Sequence, residues 1–321
     1  MTTPTVERAV YFLGNDRVLN FGIAAFESFR RTNPDLPAYL LPFNDDLKET
    51  RALATKYNFT IIDHPALAAL HATAEEFWDE KHRDHAMLKK FFAFFGPAKL
   101  FLYCDCDVLF LENLHPLFDK FEQADLQFLS FDRCLDYVYK AGRFRDELVN
   151  SAITRGFNAG VFLSRSGLAT LPGIQQFFKE HKPVRTEFHD TRDQAMLNYY
   201  VDYHRWRHLN LAELDPSYCE TNNGRCRSVR PGANGSWVLD DKFSPYHGKR
   251  FFILHWNGIK LPTVLPNHLL YRKDRGRPES FSKRFALDWQ NLWAGKGSLW
   301  ARCTENLSVQ FHRITRRFRR S

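Results

Sequence analysis

The 321-residue chain is 44% hydrophobic and 15% aromatic, which suits one large packed domain or a domain with an appendage and excludes a disordered or low-complexity protein. Its net charge of +8 is gathered at the end: residues 271–321 hold 13 Lys+Arg against 4 Asp+Glu, whereas residues 1–270 hold 32 against 33. An argument from basicity therefore concerns the tail alone, and an extended nucleic-acid surface on the body is excluded. Without a signal-peptide pattern or a long apolar run, the chain reads as soluble and cytoplasmic, and its six cysteines as reduced thiols.

In chain order, "RAVYFLGNDRVL" opens with a strand over Ala9–Leu13, closed by Gly14-Asn15-Asp16. "LNFGIAAFESFRRTNP" has helical spacing at Phe21, Ala24, Ala25, Ser28 and Phe29 and stops at Asn33-Pro34. "AYLLPF" reads as a strand, "DDLKETRALATKYN" as a polar helix and "TIIDH" as a further strand. A helix over about 85–95 ends at Gly96-Pro97, and the strand after it, about Lys99–Tyr103, is apolar on both faces, as in a central parallel strand. "DLQFLSFD" and "NAGVFLSRS" predict strands, "GIQQFFKEH" and "RDQAMLNYYV" helices, and "RFFILHWNG" a last strand. Residues 202–244 carry no periodicity and are expected to help form an acceptor site. Alternating strands and helices of this size imply βαβ units and a mostly parallel sheet.

The apolar run "LFLYCDCDVLFL" contains two aspartates, Asp105 and Asp107, where ionised carboxylates are costly unless paired or metal-bound. Ligands in open α/β sheets bind beyond the carboxyl ends of strands, and two oxygen ligands two residues apart suit Mg²⁺ or Mn²⁺ with open positions for a diphosphate. A solvated strand-to-loop turn is the plainer alternative. A thiolate site at Cys104 and Cys106 lacks zinc spacing.

With its neighbours, this segment resembles the D-x-D region of nucleotide-sugar-dependent glycosyltransferases of the GT-A fold, closest to family 8. "YFLGNDRVLNFGIAAFESFRRTNP" is similar to the first strand, nucleotide loop and first helix of that family, "FNAGVFLSRSG" to its N-A-G-V strand, "RDQAMLN" to its D-Q-x-x-L-N helix, and "HWNGIKLP" to its terminal H-x-x-G-x-x-K-P segment, here one residue short. The resemblance spans about residues 8–262. It implies a Rossmann-like α/β catalytic domain over 1–265 and transfer of a hexose from a nucleotide-diphosphate sugar, UDP-linked and with retention, to a glycan or lipid-linked acceptor; the composition then shifts to a basic, Trp-containing helical tail over 266–321.

The expected metal ligands for Mn²⁺ or Mg²⁺ are Asp105, Asp107 and His255, with Asp105 also touching the ribose as the resemblance implies. Gly258 allows close backbone approach and Lys260 neutralises the departing phosphate. Lys89 or Lys90 reaches the donor from the preceding helix; adjacent helical residues diverge by about 100°, so at most one does. Asn158 and Asp193 are expected at the sugar and Gln194 near the anomeric carbon, with Asn15 and Asp16 as base and ribose contacts. Each has a structural alternative: an Asx turn at Asn158, a helix-dipole acid at Asp193, a packed histidine at His255. Two competing functions stay open and a third is argued against. An inverting transferase would take Asp190, Glu187 or Asp215 as base. A degenerate GT-A scaffold or glycan-binding protein would bind no nucleotide with metal. A sugar-phosphate nucleotidyltransferase would need a Gly-rich phosphate loop, which "LGNDRVLN" lacks.

In the tail, Leu307, Phe311, Ile314 and Phe318 form one helical stripe among five arginines. A short basic amphipathic helix of this kind suits an anionic membrane surface, engaged through residues 307–320, and Trp289, Trp293 and Trp300 suit an interface. The implied location is peripheral, at the inner face of the cytoplasmic membrane. A helix docked on the enzyme is the alternative; nucleic acid is not expected.

Overall fold

The computed structural model describes residues 6–286 except 153, 155, 190–192, 221–227, 243 and 258–266. Gly258, Lys260, Asp190, the three tail tryptophans and the stripe over 307–320 lie outside the described residues.

Nine residues, Val6–Gly14, form β1, followed by α1 (Leu19–Thr32), β2 (Ala38–Pro42), α2 (Lys48–Tyr57), β3 (Thr60–Ile61) and α3 (Ala66–Trp78). A 3₁₀ helix over Arg83–Phe94, capped by the His82 ring on the Asp84 N–H, replaces the expected α-helix before β4 (Ala98–Asp105). The short β5 (Val108–Phe110), α4 (His115–Gln123), β6 (Phe128–Ser130) and α5 (Arg143–Asn150) lead to β7 (Val161–Arg165) and α6 (Leu171–Glu180). Then come α7 (Asp193–Tyr203), β8 (His208–Asn210) and α8 (Leu211–Leu214). The hairpin β9 (Val229–Pro231) and β10 (Trp237–Leu239), β11 (Ile253–His255) and α9 (His268–Gly276) complete the described chain.

Among the described residues the centre is a seven-stranded sheet of order β3-β2-β1-β4-β7-β6-β8, parallel except for β7, which runs antiparallel to both neighbours. Reversal of β7 brings its amino end beside the carboxyl end of β4: Cys104 pairs with Val161, and the Asp105 N–H donates to the Gly160 carbonyl at 2.8 Å. Both faces of the sheet are covered. One apolar layer contains Tyr11, Phe101, Tyr103 and Phe162; the other contains Phe12, Leu102, Leu129 and Leu163. Strands covered on both sides explain why β1 and β4 read as unbroken apolar runs.

The last expected strand does not join this sheet. Instead β11 pairs antiparallel with β5 in a separate ribbon, His255 opposite Val108, with the Trp256 N–H donating to the Asp107 carbonyl. In the segment that the sequence assigns to the tail, α9 packs on α1 through Arg31–Asp274 at 2.9 Å and through Arg275 to Asn20. Among the described residues no helix is long and apolar enough to cross a membrane.

Candidate active site

Period-two geometry answers the question raised by the D-x-D run. Cys104 and Cys106 turn to one side, buried among Phe12, Leu102 and Val161, and burial pushes both thiols up, so neither offers a thiolate. The Cys106 sulfur reaches the Leu13 carbonyl at 3.3 Å and lies where a side chain on Gly14 would stand. Asp105 and Asp107 turn to the other side, at the carboxyl edge of the sheet.

There Asp105, Asp107 and His255 meet, with one ligand atom from each lying within 4.8 Å of the others. His255 Nε2 is 3.5 Å from Asp107 Oδ1, and its Nδ1 is 3.4 Å from Asp132 Oδ2. Burial alone would depress the His255 pKa; the carboxylates of Asp107 and Asp132 outweigh it and raise it to about 10. Asp132 holds the ring by its distal nitrogen, as carboxylates behind a ligating histidine do. The ring fits because residue 160 is glycine: a Cβ there would stand 2.6 Å from His255 Cε1 and 2.8 Å from Nε2.

Lys90 supplies the opposing charge. It is fully buried and donates to Asp193 Oδ2 at 2.6 Å and the Ala159 carbonyl at 2.9 Å, with its ammonium 4.8 Å from the Tyr103 ring centre. Burial works against its charge, but Asp193, Asp105 and Asp107 together raise its pKa. Asp105 accepts from the Tyr103 hydroxyl at 2.5 Å; burial, with Asp107 adding and Lys90 opposing, pushes its carboxyl up to about 6.

The fit to a hard divalent cation rests on the donors themselves. Asp107 Oδ1 is buried without a hydrogen-bond partner, two carboxylates and an imidazole suit Mn²⁺ or Mg²⁺, and the buried Lys90 ammonium beside them marks a site of concentrated negative charge.

The other candidates divide. Asn158 is buried, and its Oδ1 accepts from the Gly160 N–H at 2.7 Å, the Asx turn weighed from the sequence. Asp193 opens α7 beside Lys90. Gln194 uses its amide nitrogen to donate to the Tyr137 carbonyl at 3.1 Å. Lys89 does not enter the cluster; its ammonium donates to the Pro42 and Phe43 carbonyls at the end of β2. Asn15 pairs with Asn44 at 2.9 Å. Asp16 is spent on α2, its carboxylate accepting from the Glu49 and Thr50 N–H groups at 2.8 Å and the Thr50 hydroxyl at 2.6 Å. Sequence reasoning missed Asp132, which the terminal acid of "DLQFLSFD", placed like Asp105 at a strand end, could have revealed. Among the inverting bases, Asp215 is paired with Lys120 on α4 at 2.5 Å.

A mixed sheet with paired aspartates, a histidine and a buried lysine gathered near its carboxyl edge is consistent with the glycosyltransferase resemblance of the sequence. Residues 97–260 match the model of the nucleotide-diphospho-sugar transferases, and the chain belongs to that family. Its fold is similar to the galactosyltransferase LgtC in complex with donor and acceptor sugar analogues: TM-score 0.51 and 15% identity over 84% of this chain and 95% of that one. It is also similar to the bifunctional glycosyltransferase WbbM, with TM-score 0.52 and 13% identity, covering 86% of this chain but 51% of that one, about half its length. Mouse xyloside xylosyltransferase 1 matches at TM-score 0.47 and 15% identity over 66% of this chain and 87% of that one. No curated protein matches the chain. The chain is a nucleotide-sugar glycosyltransferase of the GT-A type.

Proposed function

We propose that the enzyme transfers a hexose from a UDP-sugar to a glycan or lipid-linked acceptor with retention, and that Asp105, Asp107 and His255 hold Mn²⁺ or Mg²⁺ on the donor diphosphate. The observation that carries this reading is Asp107 Oδ1, buried without a hydrogen-bond partner inside a cluster of three ligand atoms. When bound, the metal supplies Lewis-acid stabilisation of the leaving diphosphate. Asp132 orients His255. Lys90 neutralises part of the carboxylate charge and fixes Asp193 at the start of α7, where Asp193 accepts from sugar hydroxyls. With its Oδ1 tied to Gly160, Asn158 keeps its amide nitrogen as a donor to the sugar. Gln194 stays near the anomeric carbon as a wall, its own amide nitrogen already engaged. Asp105 meets the ribose, Asn15 and Lys89 line the nucleotide side, and Gly258 and Lys260 complete the phosphate site. The donor and acceptor sugar analogues in the LgtC structure support this division into two substrates.

The test is hydrolysis of UDP-glucose and UDP-galactose with Mn²⁺ or with EDTA, with the released sugar followed by proton NMR before its anomers equilibrate. Metal-dependent release of the α-anomer is expected. Release of the β-anomer would overturn retention, and release unaffected by EDTA would overturn the metal site.

A further inference from the structure

A cavity of about 340 Å³ opens at the end of the β5–β11 ribbon remote from the carboxylates, lined by residues that follow β5 and precede β11. Asp107 and Glu112 bracket β5, five residues apart, which in extended chain is roughly 16 Å.

The polar groups of this cavity are built. Glu112, with its side chain only 11% exposed, accepts from the Tyr218 hydroxyl at 2.5 Å and from two nitrogens of Arg250, Nε at 3.0 Å and Nη2 at 2.5 Å. The Arg250 guanidinium lies over the Tyr218 ring, 4.6 Å from its centre, and its Nη1 group takes no part in the pair. Lys120 lines the same cavity, paired with Asp215. On another side stands the β9–β10 turn, where Asn234 and Gly235 are both left-handed, with φ of 54° and 75°.

The chemistry selects the ligand. Each cation already has its carboxylate, so an added anion gains little and meets two fixed negative charges. A purely apolar ligand would strip water from the Glu112–Arg250 fork without replacing its hydrogen bonds. A neutral ring bearing hydroxyls satisfies both sides: it accepts from the guanidinium and ammonium, donates to the carboxylate, and rests its C–H face on Leu117 and Phe252. The volume falls at the small end of ligand pockets, which run from ~300 to ~1,000 Å³.

We infer that this cavity is a second carbohydrate subsite, which holds a neutral sugar unit of the acceptor glycan away from the reacting centre. The inference rests on the glycan-acceptor reading above for its biological role, though not for the binding itself.

Saturation-transfer difference NMR with lactose, cellobiose and maltotriose, in the absence of nucleotide, tests it on the wild-type chain and on Arg250→Lys, Asn234→Gly and Asp107→Asn. Arg250→Lys keeps the charge and removes the fork; Asn234→Gly keeps the left-handed turn and removes the amide. A thermal melt of each variant accompanies the spectra. At least one sugar should bind, Arg250→Lys should weaken it about tenfold or more, as expected for hydrogen bonds to a charged group, and Asp107→Asn should leave it unchanged. No transfer from any of the three sugars, equal binding by wild type, Arg250→Lys and Asn234→Gly, loss of binding in Asp107→Asn, or binding of inorganic phosphate in place of the sugars would each overturn it. Sugar binding retained in a chain that binds no nucleotide would instead count against the proposed function alone.

Discussion

Gly160 shows how much of the site depends on a missing atom. Because a Cβ there would stand 2.6 Å from the His255 ring and 2.9 Å from Asn158 Oδ1, Gly160→Ala is expected to displace the ring from Asp107. Nucleotide affinity in Mn²⁺ should fall at least tenfold with the melting temperature nearly kept; unchanged affinity would show that His255 is not a ligand. Lys90 is the opposite case, a buried cation whose removal leaves Asp193 and Asp105 uncompensated. Lys90→Met should cost about 3–5 kcal/mol in urea unfolding, as breaking a buried pair does. The sequence exposed Asp105, Asp107 and His255 because each interrupts an apolar run. It could not choose between Lys89 and Lys90: the two are adjacent on one helix, and what separates them, burial against Tyr103 and Asp193, is a tertiary fact. Asp202 offers a test of electrostatics outside the site. Buried and accepting from the Tyr139 hydroxyl at 2.6 Å, it is pushed up to about 7, chiefly by burial. A carboxyl whose folded pKa lies above its unfolded value stabilises the fold at low pH and loses that contribution as pH rises through the folded value. Stability should therefore fall between about pH 4 and pH 7 through this group, and Asp202→Asn should flatten that slope in pH-dependent melts.

At the scale of elements, the D-x-D strand and the N-A-G-V strand were legible, since both are long apolar stretches with a clear end. Their antiparallel pairing was not, because a run of apolar residues carries no direction. The sequence reading passed over α3, although Leu67, Leu70, Ala74 and Phe77 form a helical stripe that the structure buries. The region 202–244 resisted reading for a physical reason: β8, β9 and β10 have three residues each, too short for any period to show. In the nucleotide loop the structure gives one acid a structural role. That acid, Asp16, caps α2 instead of standing open, and its carboxyl is held low: burial opposes this, but the Thr50 hydroxyl and the Glu49 and Thr50 N–H groups outweigh it. Asp16→Ala should cost about 1 kcal/mol of stability, the usual value of a helix cap, and change nucleotide affinity less than threefold at a temperature where the fold is intact. A large loss of affinity with unchanged stability would restore it as a ribose contact.

At the scale of the molecule, two sheets make one site. The large sheet brings Asp105, Lys90 and Asp193 to its carboxyl edge, and the β5–β11 ribbon carries Asp107 and His255 to the same place. The sequence supported the fold because its motifs fall in the order and spacing of the family; it did not reveal the ribbon, which joins residues 108–110 to 253–255. The central claim is that this junction binds a nucleotide diphosphate through a metal. Isothermal titration of UDP into the protein with Mn²⁺ or with EDTA, repeated on Asp107→Asn, tests it most directly. Binding with Mn²⁺ should disappear with EDTA and fall at least a hundredfold in the variant. Equal binding with EDTA, or in the variant, would contradict it.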